Sequence, residues 1–144
     1  MVALHLSVGI AVLAGNLIVG IWGAVAWYRR IPSVAFWYAL RVAQVVVVVQ
    51  VALGALVLAS GREAADGLHY VYGTLPILVA LLAEGARAAA NEHELEGLDF
   101  DSLPADRRRA VAMAIVRRET GIMAVACLII FGLALRAALT SPAV

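Results

Sequence analysis

Four long stretches of this chain carry almost no polar residue, and short polar or charged segments separate them. They run at about 3–27, 35–59, 68–86 and 120–139, and each approaches the roughly 20 apolar residues that cross a bilayer. Hydrocarbon gives a free peptide group no hydrogen-bond partner, so an apolar run of this length must be helical. The valines at 45–49 would favour a strand in water; the length and setting of the run override that preference. The pattern predicts an all-α fold: an integral membrane, antiparallel four-helix bundle forming a single domain over 1–144.

The segments between the runs differ in kind. Arg30-Ile31-Pro32-Ser33 reads as a tight turn, and Ser60 to Gly67 as a short polar loop. The third connection is longer: Glu92, Glu94, Glu96, Asp99 and Asp101 precede Arg107, Arg108 and Arg109. Its spacing predicts that the third helix continues through Ala88–Ala90 to about Glu96 and stops near Gly97. Ser102 is the expected N-cap of the next helix, with Pro104 in its first turn and Asp106 placed favourably for the helix dipole. The last two helices then project beyond the membrane as a hairpin. Its acid-then-base pattern suits a solvated helical surface, with docking to a partner as the alternative.

Arginine sets the expected orientation, because the chain contains no lysine. Arg29, Arg30, Arg41, Arg87, Arg107, Arg108, Arg109, Arg117 and Arg118 belong to one side; only Arg62 and Arg136 belong to the other. The positive-inside rule puts the richer side in the cytoplasm and both termini outside. Trp22, Trp27, Tyr28, Trp37 and Tyr38 gather at the cytoplasmic end of the first hairpin, as an aromatic belt would. No basic residue precedes the first run and no small-residue cleavage site soon follows it, so it reads as a retained span. Composition agrees: 64% of residues are hydrophobic, 15% are charged and the mean hydropathy is +0.94, against roughly 25% charged in soluble domains. Lysine-free, Ala/Val/Arg-rich usage suits a bacterial inner membrane. The net charge of +1 says little about partners, and no nucleic-acid partner is expected.

The sharpest chemical feature is a repeated spacing. His5-x-x-x-Gly9 and His69-x-x-x-Gly73 open the first and third runs, which travel in the same direction and lie diagonally across a sequentially connected bundle. Both imidazoles then sit at one depth. Residues four apart share a helix face, so Gly9 and Gly73 would lie beneath them and leave room for a flat macrocycle. Gly54 and Gly132 fall at a similar level. Neutral imidazole is a common axial ligand of haem iron, and bundle cores accept cofactors between facing helices. Arg62 and Arg136 are the cations available to haem propionates at that end. Haem b, held by His5 and His69 as metal ligands, is the cofactor this arrangement suggests. Other readings remain: small residues serve helix packing in membranes, His5 could face headgroups and His69 could cap the outer loop.

The stretch Gln50-Val-Ala-Leu-Gly54-Ala, with Leu56 to Ser60, a short loop and Leu68-His69, resembles one half of the haem A synthase family. In that family each four-helix half carries a histidine at the outer ends of its first and third helices, the places that His5 and His69 take here. The family usually has an acidic residue shortly before the first histidine and an arginine just after it; here Met-Val-Ala-Leu precedes His5 and Leu6 follows it. The resemblance therefore implies haem binding, as in four-helix b-type cytochromes, more than synthase chemistry.

Other polar residues fall near the basic end of the bundle. Arg41 and Glu84 are expected to pair, with Gln44 on the same face as Arg41, because charges near the apolar slab are costly and usually compensated. That pair is either a structural clasp or part of a proton or quinone site. Asn16 and Gln50 are expected to bond between helices. Cys127 is the one thiol and reads as inert packing. His93 reads as solvated, since its neighbours Glu92 and Glu94 point other ways on a helix. Tyr70 and Tyr72 belong to the outer interface, and Pro76 should kink the third helix.

No catalytic constellation is visible, and no span has the broken-helix pattern of a transporter. Two functions stay open. One is a bis-histidine haem protein that passes electrons between a quinone or membrane partner and an outer acceptor. The other is a cofactor-free accessory subunit or assembly factor of a larger membrane complex, a role that would also suit self-association. Haem requires both histidines to face inward; the accessory reading expects at least one to face lipid or water.

Overall fold

The computed structural model describes residues 1–64 and 66–140. Four helices account for most of them: α1 (Val2–Arg29), α2 (Val34–Ala59), α3 (Leu68–Leu95) and α4 (Ala105–Leu139). A single 3-10 turn, Phe100–Ser102, interrupts the link between α3 and α4. All four helices are long and apolar enough to cross a membrane. At 1.5 Å per residue, α3 and α4 reach roughly 42 and 52 Å, well beyond a hydrocarbon core of about 30 Å. The extra length lies at the end where they face each other across the charged link, and Arg118 ties α4 to Glu94 of α3 there at 2.6 Å.

The helix ends follow local chemistry. Arg30 closes α1 in the left-handed region (φ 57°), with Ile31 N–H bonding back to Ala26 O at 3.0 Å. The Ser33 hydroxyl accepts the Phe36 N–H and caps α2. Gly97, at φ 72°, releases the chain after α3, a conformation that costs glycine little. The start of α4 departs from expectation. Ser102 does not cap it: its hydroxyl donates to Asp99 O at 2.8 Å and closes the 3-10 turn. Pro104 instead takes the N-cap position, and its carbonyl accepts the Arg108 N–H. Pro76 lies buried inside α3, which continues through it as one helix.

Helix α4 packs closely against both α1 and α3, α1 also packs on α2, and α2 meets α3 least among the neighbouring pairs. Direct contact between α1 and α3 is slight, as befits diagonal helices. In hydrocarbon the exclusion of water adds little, and close packing must hold such helices together. Small residues make that possible. A Cβ on Gly20 would come within 2.8 Å of Leu128, and one on Gly121 within 2.9 Å of the Trp27 indole nitrogen. One core cluster joins Val19, Phe36, Leu40, Met123 and Cys127, and a second joins Val12, Val47 and Ile130. The lone thiol is therefore packing, as expected. Outward-facing positions such as Ile18, Val42, Leu81 and Ile129 are exposed, so the outer surface is apolar.

Asn16 corrects an expectation. It is fully buried, yet its amide donates to Val12 O of its own helix at 2.9 Å and not to a neighbouring helix.

Candidate functional site

His5 and His69 meet. Their ring centroids are 6.2 Å apart and their planes stand at 65°. Local structure brings each to this point. The His5 N–H closes the first turn of α1 on Met1 O. The Asp66 carboxylate accepts the Leu68 N–H, its carbonyl accepts that of His69, and together they start α3 one residue before the imidazole. The packing of α4 between α1 and α3 then draws the two diagonal helices within reach at this end.

Hydrogen bonds distinguish the two rings. His69 Nδ1 lies 3.0 Å from Ala137 O. The last carbonyls of a helix lack backbone partners within it; Ala137 sits in the final turn of α4, and its carbonyl also accepts the Thr140 hydroxyl at 2.9 Å. A carbonyl only accepts, so His69 must donate from Nδ1, which leaves the lone pair on Nε2. A backbone partner on the other nitrogen is the usual support of a metal-binding imidazole. His69 thus caps α4, and not the loop that precedes its own helix. His5 Nε2 lies 3.4 Å from the Gln50 amide nitrogen, while His5 Nδ1 and Gln50 Oε1 are both buried without a partner. An amide nitrogen only donates, so in this contact His5 Nε2 accepts and Nδ1 carries the proton; exchanging the nearly isosteric oxygen and nitrogen of the Gln50 amide would instead let His5 Nε2 donate to Gln50 Oε1. That exchange satisfies the oxygen and leaves a lone pair on His5 Nδ1, and it puts the amide NH2 in the buried position that has no partner.

The glycines divide. Gly54 lies against His5, where a Cβ would be 3.2 Å from Cε1. The space beside Gly9 holds the Gln50 side chain, 3.0 Å from where a Cβ would stand, so no room is left there for a second group. Nothing comes within 4 Å of a Cβ built on Gly73 or Gly132. The place beside Gly9 is thus filled, whereas a side chain at Gly73, four residues after His69, would meet nothing. Arg136 stacks over the Tyr72 ring at 5.8 Å, and Arg62 is exposed beside Met1 and Ser60. Tyr70 accepts the Ala64 N–H through its hydroxyl at 2.8 Å and so holds the link between α2 and α3.

A second polar cluster lies toward the opposite end. Arg41 pairs with Glu84, and Gln44 donates to the same carboxylate at 2.9 Å, as the sequence led us to expect. The cluster extends further than that pair. Arg87 bridges Glu84 at 2.9 Å and Glu119 at 3.0 Å, and Asn91 also donates to Glu119. Two cations and two anions thus join α2, α3 and α4 in a neutral chain of charges. The three-residue spacing of Glu84 and Arg87 was a signal for the α3 part; nothing in the sequence paired Arg87 with Glu119.

Among the described residues, no three His, Cys, Asp or Glu side chains gather as a metal site. His93 is exposed and its only ion-pair partner there is Glu96, at 3.4 Å. The chain matches no family model, no curated protein and no solved structure. The apposed histidines and the charge chain are therefore the observations from which a function must be argued.

Proposed function

We propose that this chain is a multi-pass protein of a bacterial cell membrane, with its arginine-rich end in the cytoplasm and both termini outside. We further propose that His5 and His69 would together hold a b-type haem. The observation that carries this reading is the meeting of two imidazoles from diagonal helices, one with its tautomer set by Ala137 O. With the Gln50 amide exchanged, the unpartnered nitrogen of His5 and the open space beside Gly73 suit such a ligand.

Each residue has a part. His69 presents Nε2, Ala137 holds its ring, and Gln50 governs which nitrogen His5 offers. Gly54 lets α2 approach the His5 ring, and Arg62 and Arg136 are the cations at this end of the bundle that would meet acidic substituents. Haem supplies one-electron exchange when bound; a quinone or membrane protein on one side and an outer acceptor on the other are the partners such a role needs. The resemblance to one half of the haem A synthase family supports binding, not synthesis.

A second reading has its own observation. Gln50 occupies the space beside Gly9 and touches His5, so the histidines also serve as plain packing at the bundle end. On that reading the chain is a cofactor-free accessory subunit. Absorption spectra of the detergent-purified protein, oxidised and dithionite-reduced, decide between them. The haem reading expects a sharp reduced α-band that His69→Ala abolishes. A protein that stays colourless after haem is supplied overturns it.

A further inference from the structure

A groove of about 290 Å³ opens at the arginine-rich end, between the α1–α2 turn and α4. Its walls are mainly apolar: Trp27, Ile31 and Pro32 on one side and Met113 on the other, with Arg30 and Arg117 among its lining residues. These two arginines differ from those of the charge chain. Arg41 and Arg87 have carboxylate partners within the bundle, and Arg118 has Glu94. Arg30 and Arg117 make no ion pair among the described residues, and no acidic residue lines the groove.

Both are nevertheless held by the backbone around them. Arg117 Nε donates to Trp27 O at 3.5 Å, the carbonyl that also receives the Arg30 N–H. Arg30 is the one non-glycine residue with positive φ among the described residues. That conformation is unfavourable for a side chain with a Cβ, and glycine would be the ordinary choice at such a helix end. Two uncompensated guanidinium groups beside an apolar channel and a tryptophan form a mixed site. It suits a molecule that is anionic at one end and hydrocarbon at the other.

We infer that this groove binds an anionic phospholipid, with the phosphate between Arg30 and Arg117 and an acyl chain along Ile31, Pro32 and Met113. Guanidinium recognises phosphate oxygens in paired hydrogen bonds, and basic pockets at the cytoplasmic ends of membrane helices take up anionic headgroups. The inference rests on the membrane reading given above and is independent of haem.

Native mass spectrometry of the full chain, extracted in detergent and offered equal phosphatidylglycerol and phosphatidylcholine, tests it. One phosphatidylglycerol should be retained in preference. The double variant Arg30→Gln/Arg117→Gln should lower that retention on the order of tenfold, whereas Arg107→Gln/Arg109→Gln, which removes equal charge elsewhere, should not. Met113→Trp keeps both arginines and fills the apolar channel; it should also lose the lipid, which keeps the test open if the double variant does not fold. Equal retention of the two lipids, or an equal loss in the Arg107/Arg109 control, overturns the lipid site alone. Recovery of the chain with soluble proteins, without detergent, overturns the membrane reading beneath it.

Discussion

The Phe36 ring of α2 occupies the place where a side chain at Gly23 of α1 would stand: a Cβ there would be 2.6 Å from Cε2. The ring is completely buried, so the absent side chain at position 23 and the aromatic ring at 36 form one packing unit. Ala124 of α4 closes the same space at 2.9 Å. Three helices therefore converge on one hydrogen atom.

Gly23→Val should lower stability by about 1–3 kcal/mol, the usual cost of overpacking. Gly15 is the control, because nothing lies within 4 Å of its would-be Cβ. Gly15→Ala should be neutral or should gain up to about 1 kcal/mol from helix propensity. Thermal unfolding in detergent measures both, and equal behaviour of the two variants would contradict the packing described.

Arg87 is shared by two carboxylates, and Glu119 is nearly buried, with 11% of its side chain exposed. Arg87→Met leaves both acids without that partner. Breaking a fully buried pair costs roughly 3–5 kcal/mol; Arg87 and Glu84 are about a quarter exposed, so on the order of 2 kcal/mol is expected here. Arg118→Ala breaks a far more exposed pair with Glu94 and should cost under about 1 kcal/mol. Denaturation of both variants under one condition compares them directly.

Gly73→Leu separates the two functional readings. The space beside Gly73 is open, so the fold should tolerate the leucine with little change in unfolding temperature. On the haem reading it should abolish haem uptake and the reduced α-band. Full haem occupancy in this variant would place any cofactor elsewhere.

Orientation can be read with single thiols. Cys127 is the one cysteine and is buried, so Cys127→Ala gives a clean background. In intact cells a membrane-impermeant maleimide should label Ser60→Cys and spare Ser102→Cys until the membrane is opened. The reverse pattern would invert the bundle and put the histidine pair on the cytoplasmic side.

The length of each apolar run is a local property, and it determined the number of helices, their approximate ends and the arginine-rich side. The positions of His5 and His69 at the starts of the first and third runs, which travel in the same direction, likewise placed them at one depth. The histidine pair and the Arg41–Glu84 contact were legible because polar groups are rare in such helices and must find partners. The buried faces were not legible. In water, polarity marks the outside of a helix; in these helices both faces are apolar and the pattern carries no such mark. Val47 is 2% exposed, whereas Val45 and Val48 in the same run are 61% and 57% exposed, and no property of valine distinguishes them. Only the tertiary structure decided that Asn16 bonds within its own helix, that Gln50 fills the space beside Gly9, and that Arg87 reaches Glu119. Each depends on the rotation of one helix against another, which close packing of glycine and alanine sets.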